Sequence, residues 1–179
     1  MISKKFLLWK VLAIWVLFLL LHFSYERFPN TLFLIIGEEG ETSYFHMKML
    51  FFAYIFTTIA EYFLKRKKLV NPVSFVYSRM LVAVIFPWLT ISLWFSTQAL
   101  GIEIFPIIPW EIIYSNIITL IGVYFAVRAD EALESIEYRP SFRNLITIFF
   151  ASALLGYISF SFNPPEHFFS TPDEAGHGD

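Results

Sequence analysis

Apolar residues along this chain gather into five long blocks, near 6–23, 44–64, 80–100, 107–127 and 145–162. Charge, proline and glycine concentrate in the segments between them. Each block has about the length that carries a helix through the hydrocarbon core of a bilayer. The pattern predicts an all-α membrane protein, a five-helix transmembrane bundle forming one polytopic domain over residues 1–179. Residues 163–179 form a tail rich in proline and glycine. The connecting segments are too short to build a separate soluble core.

The charges give the bundle a direction. Lys4, Lys5 and Lys10 belong to the N-terminal side of the first block; Lys65, Arg66, Lys67, Lys68 and Arg79 lie between the second and third; Arg128, Arg139 and Arg143 lie between the fourth and fifth. If every block crosses, these eleven of the thirteen cations share one side, and only Arg27 and Lys48 remain for the other. Positive segments are retained in the cytoplasm, so the N-terminus is expected inside and the C-terminus outside, in a multi-pass plasma-membrane protein. The run from Phe6 to Phe23 lacks a small-x-small cleavage site at its end, so the first helix is expected to stay uncleaved.

The segments differ in character. Residues 24–43 carry Glu26, Glu38, Glu39 and Glu41 around a short apolar stretch, Leu32 to Ile36, expected to lie at headgroup depth. Residues 128–139 read as a cytoplasmic extension of the fourth helix, broken at Pro140. On the second helix His46, Leu50, Ala53 or Tyr54, Thr57 and Glu61 fall on one stripe. On the fourth, Glu111, Ser115, Thr119, Gly122 and Ala126 do the same, and Ser152 with Gly156 makes a small-xxx-small pair on the fifth. Such stripes predict contact faces. Glu61 stands four residues before Lys65, the spacing of an interfacial ion pair.

Composition removes several chemistries. The chain has no cysteine, which excludes disulfides, thiolate metal sites and thiol nucleophiles. No basic cluster interleaves with aromatics in a soluble segment, so nucleic acid is not an expected partner. Neither a nucleotide loop nor a His-Glu-x-x-His helix is present, and an enzyme acting on soluble substrates is not expected.

What remains is a set of polar residues in the outer third of the bundle: His22, Glu26, Glu41, His46, Lys48, Glu111 and Asn116. Ionisable groups in spanning segments are costly and normally face protein or water. Three readings follow. His22, Glu41 and His46 are candidate ligands for a divalent metal, which a membrane-embedded hydrolase could use with Glu41 as base. The same groups could serve a small ion or solute transporter. Or the cluster is structural, or binds a ligand such as a phospholipid headgroup through Lys48, His46 and Arg27, in a chain that is a subunit of a membrane assembly or a homo-oligomer.

The run Glu41-Thr42-Ser43-Tyr44-Phe45-His46-Met47-Lys48, continuing into Met49-Leu50-Phe51-Phe52, resembles the signature of a family of small uncharacterised prokaryotic integral membrane proteins. That signature is Glu-Ser-x-x-Glu-His-x-Lys followed by an aromatic-rich helix, after a first helix ending in His. This chain matches at Glu41, His46 and Lys48, with His22 upstream. It departs at Phe45, where the family has a second acid, and at Ala53, where it has proline. The stretch Phe160-Ser161-Phe162-Asn163-Pro164-Pro165 is similar to the family's aromatic-then-double-proline ending. The resemblance implies a membrane fold of five or six helices and no established activity.

Overall fold

The computed structural model describes residues 4–37, 42–99 and 108–163. Among these residues all regular structure is helical. In chain order the helices are α1 (Lys4–His22), α2 (Ser24–Arg27), α3 (Thr31–Ile36), α4 (Ser43–Lys65), α5 (Pro72–Ala99), α6 (Ile108–Glu134) and α7 (Pro140–Ser159). Four spans are long and apolar enough to cross a membrane: Ser43–Lys65, Pro72–Ser96, Ile112–Glu134 and Pro140–Ser159. The apolar stretch of α1, Phe6–His22, is shorter than these.

Helix ends follow local chemistry. Thr42 accepts from Phe45 N at 3.4 Å at the start of α4, and Asn71 accepts from Ser74 N at 3.1 Å at the start of α5. Asn30 opens the six-residue α3 by accepting from Leu32 N and Phe33 N. Each relieves backbone N–H groups that a first turn leaves without partners. Pro140 sits in the first turn of α7, where its missing N–H costs nothing. It therefore opens a helix as well as following one, since α6 has already ended at Glu134.

The third apolar helix starts earlier than its hydropathy block suggests, at Pro72 instead of residue 80. Polar Ser74, Ser78 and Arg79 lie inside α5 and are buried. Hydropathy misplaces that boundary because it scores a side chain by type and takes no account of burial against protein.

Helix α4 is the centre of the molecule. From Ser43 to Tyr54 every residue except His46 is buried, because other helices cover α4 on several sides. Along its length α1 runs antiparallel to it: Lys10 meets Glu61 at one end, and Phe18 and His22 meet His46 at the other. On α7, Phe150 and Tyr157 pack on Phe51, and the Tyr44 hydroxyl donates to the Tyr157 carbonyl at 2.9 Å. Phe86 of α5 packs on Tyr54. The core between these contacts is apolar, built on Ile14, Met49, Leu50, Phe51, Val82 and Val123.

The small-residue stripe of α6 faces the bundle. Thr119, Gly122 and Ala126 are buried, and a Cβ at Gly122 would lie 2.2 Å from Thr90 Oγ1 and 3.0 Å from Thr90 Cβ. Absence of a side chain there lets α5 and α6 approach closely. The corresponding pair on α7 does not do this. Ser152 is exposed, and a Cβ at Gly156 would meet nothing within 4 Å.

These two glycines should therefore respond oppositely to alanine. Gly122→Ala forces α5 and α6 apart and should cost about 1–3 kcal/mol, as over-packing does, with Thr90→Ala restoring part of the loss. Gly156→Ala should be neutral or gain up to about 1 kcal/mol from helix propensity. Thermal unfolding in detergent checks both, and equal losses at the two positions would contradict the packing described.

Candidate functional site

Polar side chains collect in two layers, one at each end of the bundle. The first lies at the basic end, where α1 and α5 begin and α4 and α6 finish. Lys10 of α1, Glu61 of α4, Arg79 of α5 and Asp130 of α6 meet there, and each is at most 2% exposed. The Lys10 ammonium donates to Glu61 Oε2 and, at 2.6 Å, to Asp130 Oδ2. Arg79 donates to Glu61 Oε1 at 3.3 Å and to the Asp130 backbone carbonyl at 3.2 Å. The Tyr54 hydroxyl donates to the other Asp130 oxygen.

Two further charges finish the cluster at its rim. Lys65 reaches Glu61 Oε1 at 2.8 Å, and Arg79 Nη1 reaches Glu134 Oε2 at 2.7 Å. Lys65 and Glu134 are partly exposed. The three cations, Lys10, Lys65 and Arg79, balance the three anions, Glu61, Asp130 and Glu134. Buried charge is tolerable only when paired and hydrogen-bonded in this way. Nearby, beyond the end of α6, the Tyr138 hydroxyl donates to the Leu133 carbonyl. Burial is the main cause that pushes its pKa up; Arg79 opposes the rise and Asp130 adds to it.

This layer departs from the sequence expectation in three ways. Lys10 and Arg79 are not flanking or loop cations but lie inside α1 and α5. Asp130 is more than part of a solvated helical extension, since its carboxylate is fully buried. Glu61 does pair with Lys65, but it also binds Lys10 and Arg79. The available signal was that Lys10, Glu61 and Asp130 each fall within about two helical turns of a helix end on the same side. Their lateral convergence could not be read from one sequence.

The second layer lies at the histidine end. His22, the last residue of α1, and His46, in the first turn of α4, face each other with ring centres 5.5 Å apart. Both are half-buried, and Phe18 and Phe23 border them. The Nδ1 atom of His46 lies 2.9 Å from the Thr42 carbonyl. A carbonyl only accepts, so Nδ1 carries a proton, and in the neutral ring Nε2 is the nitrogen that presents a lone pair.

Lys48 is completely buried. Its ammonium donates to the Leu34 carbonyl at 2.8 Å and to Ser161 Oγ at 3.1 Å, and lies 4.7 Å from the centre of the Phe45 ring. Leu34 sits in the last turn of α3, whose carbonyls lack helical partners. Lys48 thus ties α3 to α4 and to the end of α7. The remaining candidates are dispersed. Glu26 is exposed on α2 and, with Arg27, lines an open cavity of about 660 Å³ between α1, α2 and α3. Asn116 accepts from Trp15 Nε1 at 2.9 Å and bonds its own helix at Ile112. Glu41 and the Glu111 side chain lie outside the described residues. Among the described residues no group of three or more His, Asp or Glu side chains is placed to hold a metal.

Charge balance in the basic-end cluster makes a sharp prediction. Lys10→Met strands Glu61 and Asp130 with too little positive charge and should cost about 3–5 kcal/mol. Adding Glu61→Gln restores balance, and the double variant should fall short of the summed single losses by about 1–3 kcal/mol. Unfolding by denaturing detergent measures this cycle; a Lys10→Met protein as stable as wild type would contradict the network.

No family model, curated protein or solved structure matches this chain.

Proposed function

We propose that this chain is a five-span protein of a prokaryotic plasma membrane, N-terminus inside and C-terminus outside, that binds a small ligand through the polar layer at its outer face. Supporting the fifth span, α1 lies antiparallel to α4 over the distance from Lys10 to His22, about 18 Å of helix. A helix that runs beside a candidate span over this distance supports a fifth span. Supporting the orientation, Lys65 to Lys68 and Arg128 lie at the same end of the bundle as Lys10.

The observation that carries the ligand reading is the contrast between the two layers. The inner cluster is neutral, hydrogen-bonded and almost wholly sealed from solvent. It has little capacity left for a ligand and reads as the clamp joining α1, α4, α5 and α6. The outer pair, His22 and His46, is half-buried and includes a ring nitrogen whose lone pair is held in one direction. That nitrogen can accept from, or coordinate, a bound species. The resemblance of the Glu41 to Lys48 run to a prokaryotic membrane family agrees with this placement without supplying an activity.

The chain has no native cysteine, so single-cysteine labelling is clean. Pro29→Cys should react with an impermeant thiol reagent on intact cells, and Val70→Cys only after permeabilisation. The reverse pattern would overturn the orientation. Native mass spectrometry of the full chain should show a small adduct lost in His22→Ala and His46→Ala but retained in the fraction of Lys10→Met that remains folded. An adduct independent of both histidines would overturn the ligand reading.

A further inference from the structure

We infer that His22 and His46 form a binding site for a divalent transition-metal ion of the class that prefers imidazole, such as zinc. This rests on the outer layer being the ligand-binding surface. An ion bonded to one nitrogen of each ring at about 2.1 Å lies about 3.2 Å from each ring centre, so two imidazoles at a tetrahedral angle have centres about 5.2 Å apart. The observed separation is 5.5 Å. The residues come from two helices whose relative position is set elsewhere, at Lys10 and Glu61, so the pair is presented by a rigid frame.

The surroundings fit as well. Metal-bound histidines usually donate their second ring N–H to a carbonyl or carboxylate, which fixes tautomer and orientation. His46 has that arrangement, with Nδ1–H on the Thr42 carbonyl and Nε2 left to coordinate. The Thr42 carbonyl also accepts from the His46 backbone N–H, so this contact is part of the first turn of α4. Buried Phe18 packs on both rings, and exposed Phe23 meets the His22 ring edge-on. Both imidazoles remain partly accessible. Among the described residues two protein ligands stand here, which leaves coordination positions for water or a further ligand. Neutral imidazole suits zinc, copper and nickel ahead of magnesium or calcium.

The test uses the untagged full chain in detergent with His167→Gln and His177→Gln, because these are its other two histidines. Calorimetric titration with Zn²⁺ should show one equivalent bound. His22→Gln or His46→Gln, with helicity and elution unchanged, should weaken binding about tenfold or more. Electron paramagnetic resonance of the Cu²⁺-loaded parent should show coupling to two imidazole nitrogens, a readout that needs no substitution within the site. Zn²⁺ binding that survives His46→Gln, or a copper spectrum without two such couplings, overturns the site. Failure to bind Zn²⁺, together with an inorganic-phosphate response that His22→Gln abolishes, overturns the metal and keeps the outer-layer reading. No response to either overturns both.

Discussion

Lys10 makes the contact on which the arrangement of the other helices turns. It lies well inside an apolar helix, and its ammonium has no water to return to unless that helix leaves the bundle. Two carboxylates, Glu61 and Asp130, supply its partners from α4 and α6. Two carboxylates meeting one ammonium would leave an excess negative charge, and Arg79 from α5 removes it. Each group is present because another would otherwise be buried without compensation. Four helices are thereby held at fixed mutual height at one end. Oily packing alone does this poorly in a membrane, where lipid competes for apolar contact on nearly equal terms.

The consequences reach the opposite end of the bundle. Since α1 and α4 are pinned at Lys10 and Glu61, their antiparallel paths bring His22 opposite His46, about 18 Å of helix away along α1. Sliding α1 by one turn would break the charge cluster and separate the imidazoles together. The segment at the histidine end is then fastened by a third buried cation. Lys48 caps the carbonyl end of α3 and reaches Ser161 beyond α7, while Gly37 allows Ser24, Leu21 and Phe33 to close around the turn after α3. At one end the helices share paired charges, and at the other the Lys48 ammonium donates to a backbone carbonyl and a hydroxyl.

How much of this was legible in the sequence depends on whether a feature is periodic or convergent. The inward faces of α4 and α6 were readable, because Leu50, Thr57 and Glu61, or Thr119, Gly122 and Ala126, repeat at helical spacing. Position along the bundle was also readable, which is why His22, His46 and Lys48 appeared as one layer. Lateral convergence was not. Asn116 shares that side yet bonds Trp15, and Glu26 points to the surface instead of into the layer. The basic-end cluster escaped for a related reason: Lys10 and Arg79 fit the one-sided distribution of cations and count with the flanking charges. A rule about where cations reside along the normal carries no information about what they touch.

The separation of the two layers bears on mechanism. A proton or ion relay across the membrane needs polar groups in steps that a hydrogen bond or water can bridge. Between the His22–His46 pair and the Lys10 cluster the described interior is filled by Ile14, Phe18, Leu50, Phe51 and Val123, all buried. Two buried hydroxyls at that depth are turned to their own helices, Thr57 to the Ala53 carbonyl and Thr90 to the Phe86 carbonyl. Each is thereby satisfied locally and offers no step toward the next layer. This apolar middle separates the two polar layers. The charges at the basic end and the histidines at the other end are linked through α1 and α4, because the same two helices carry both.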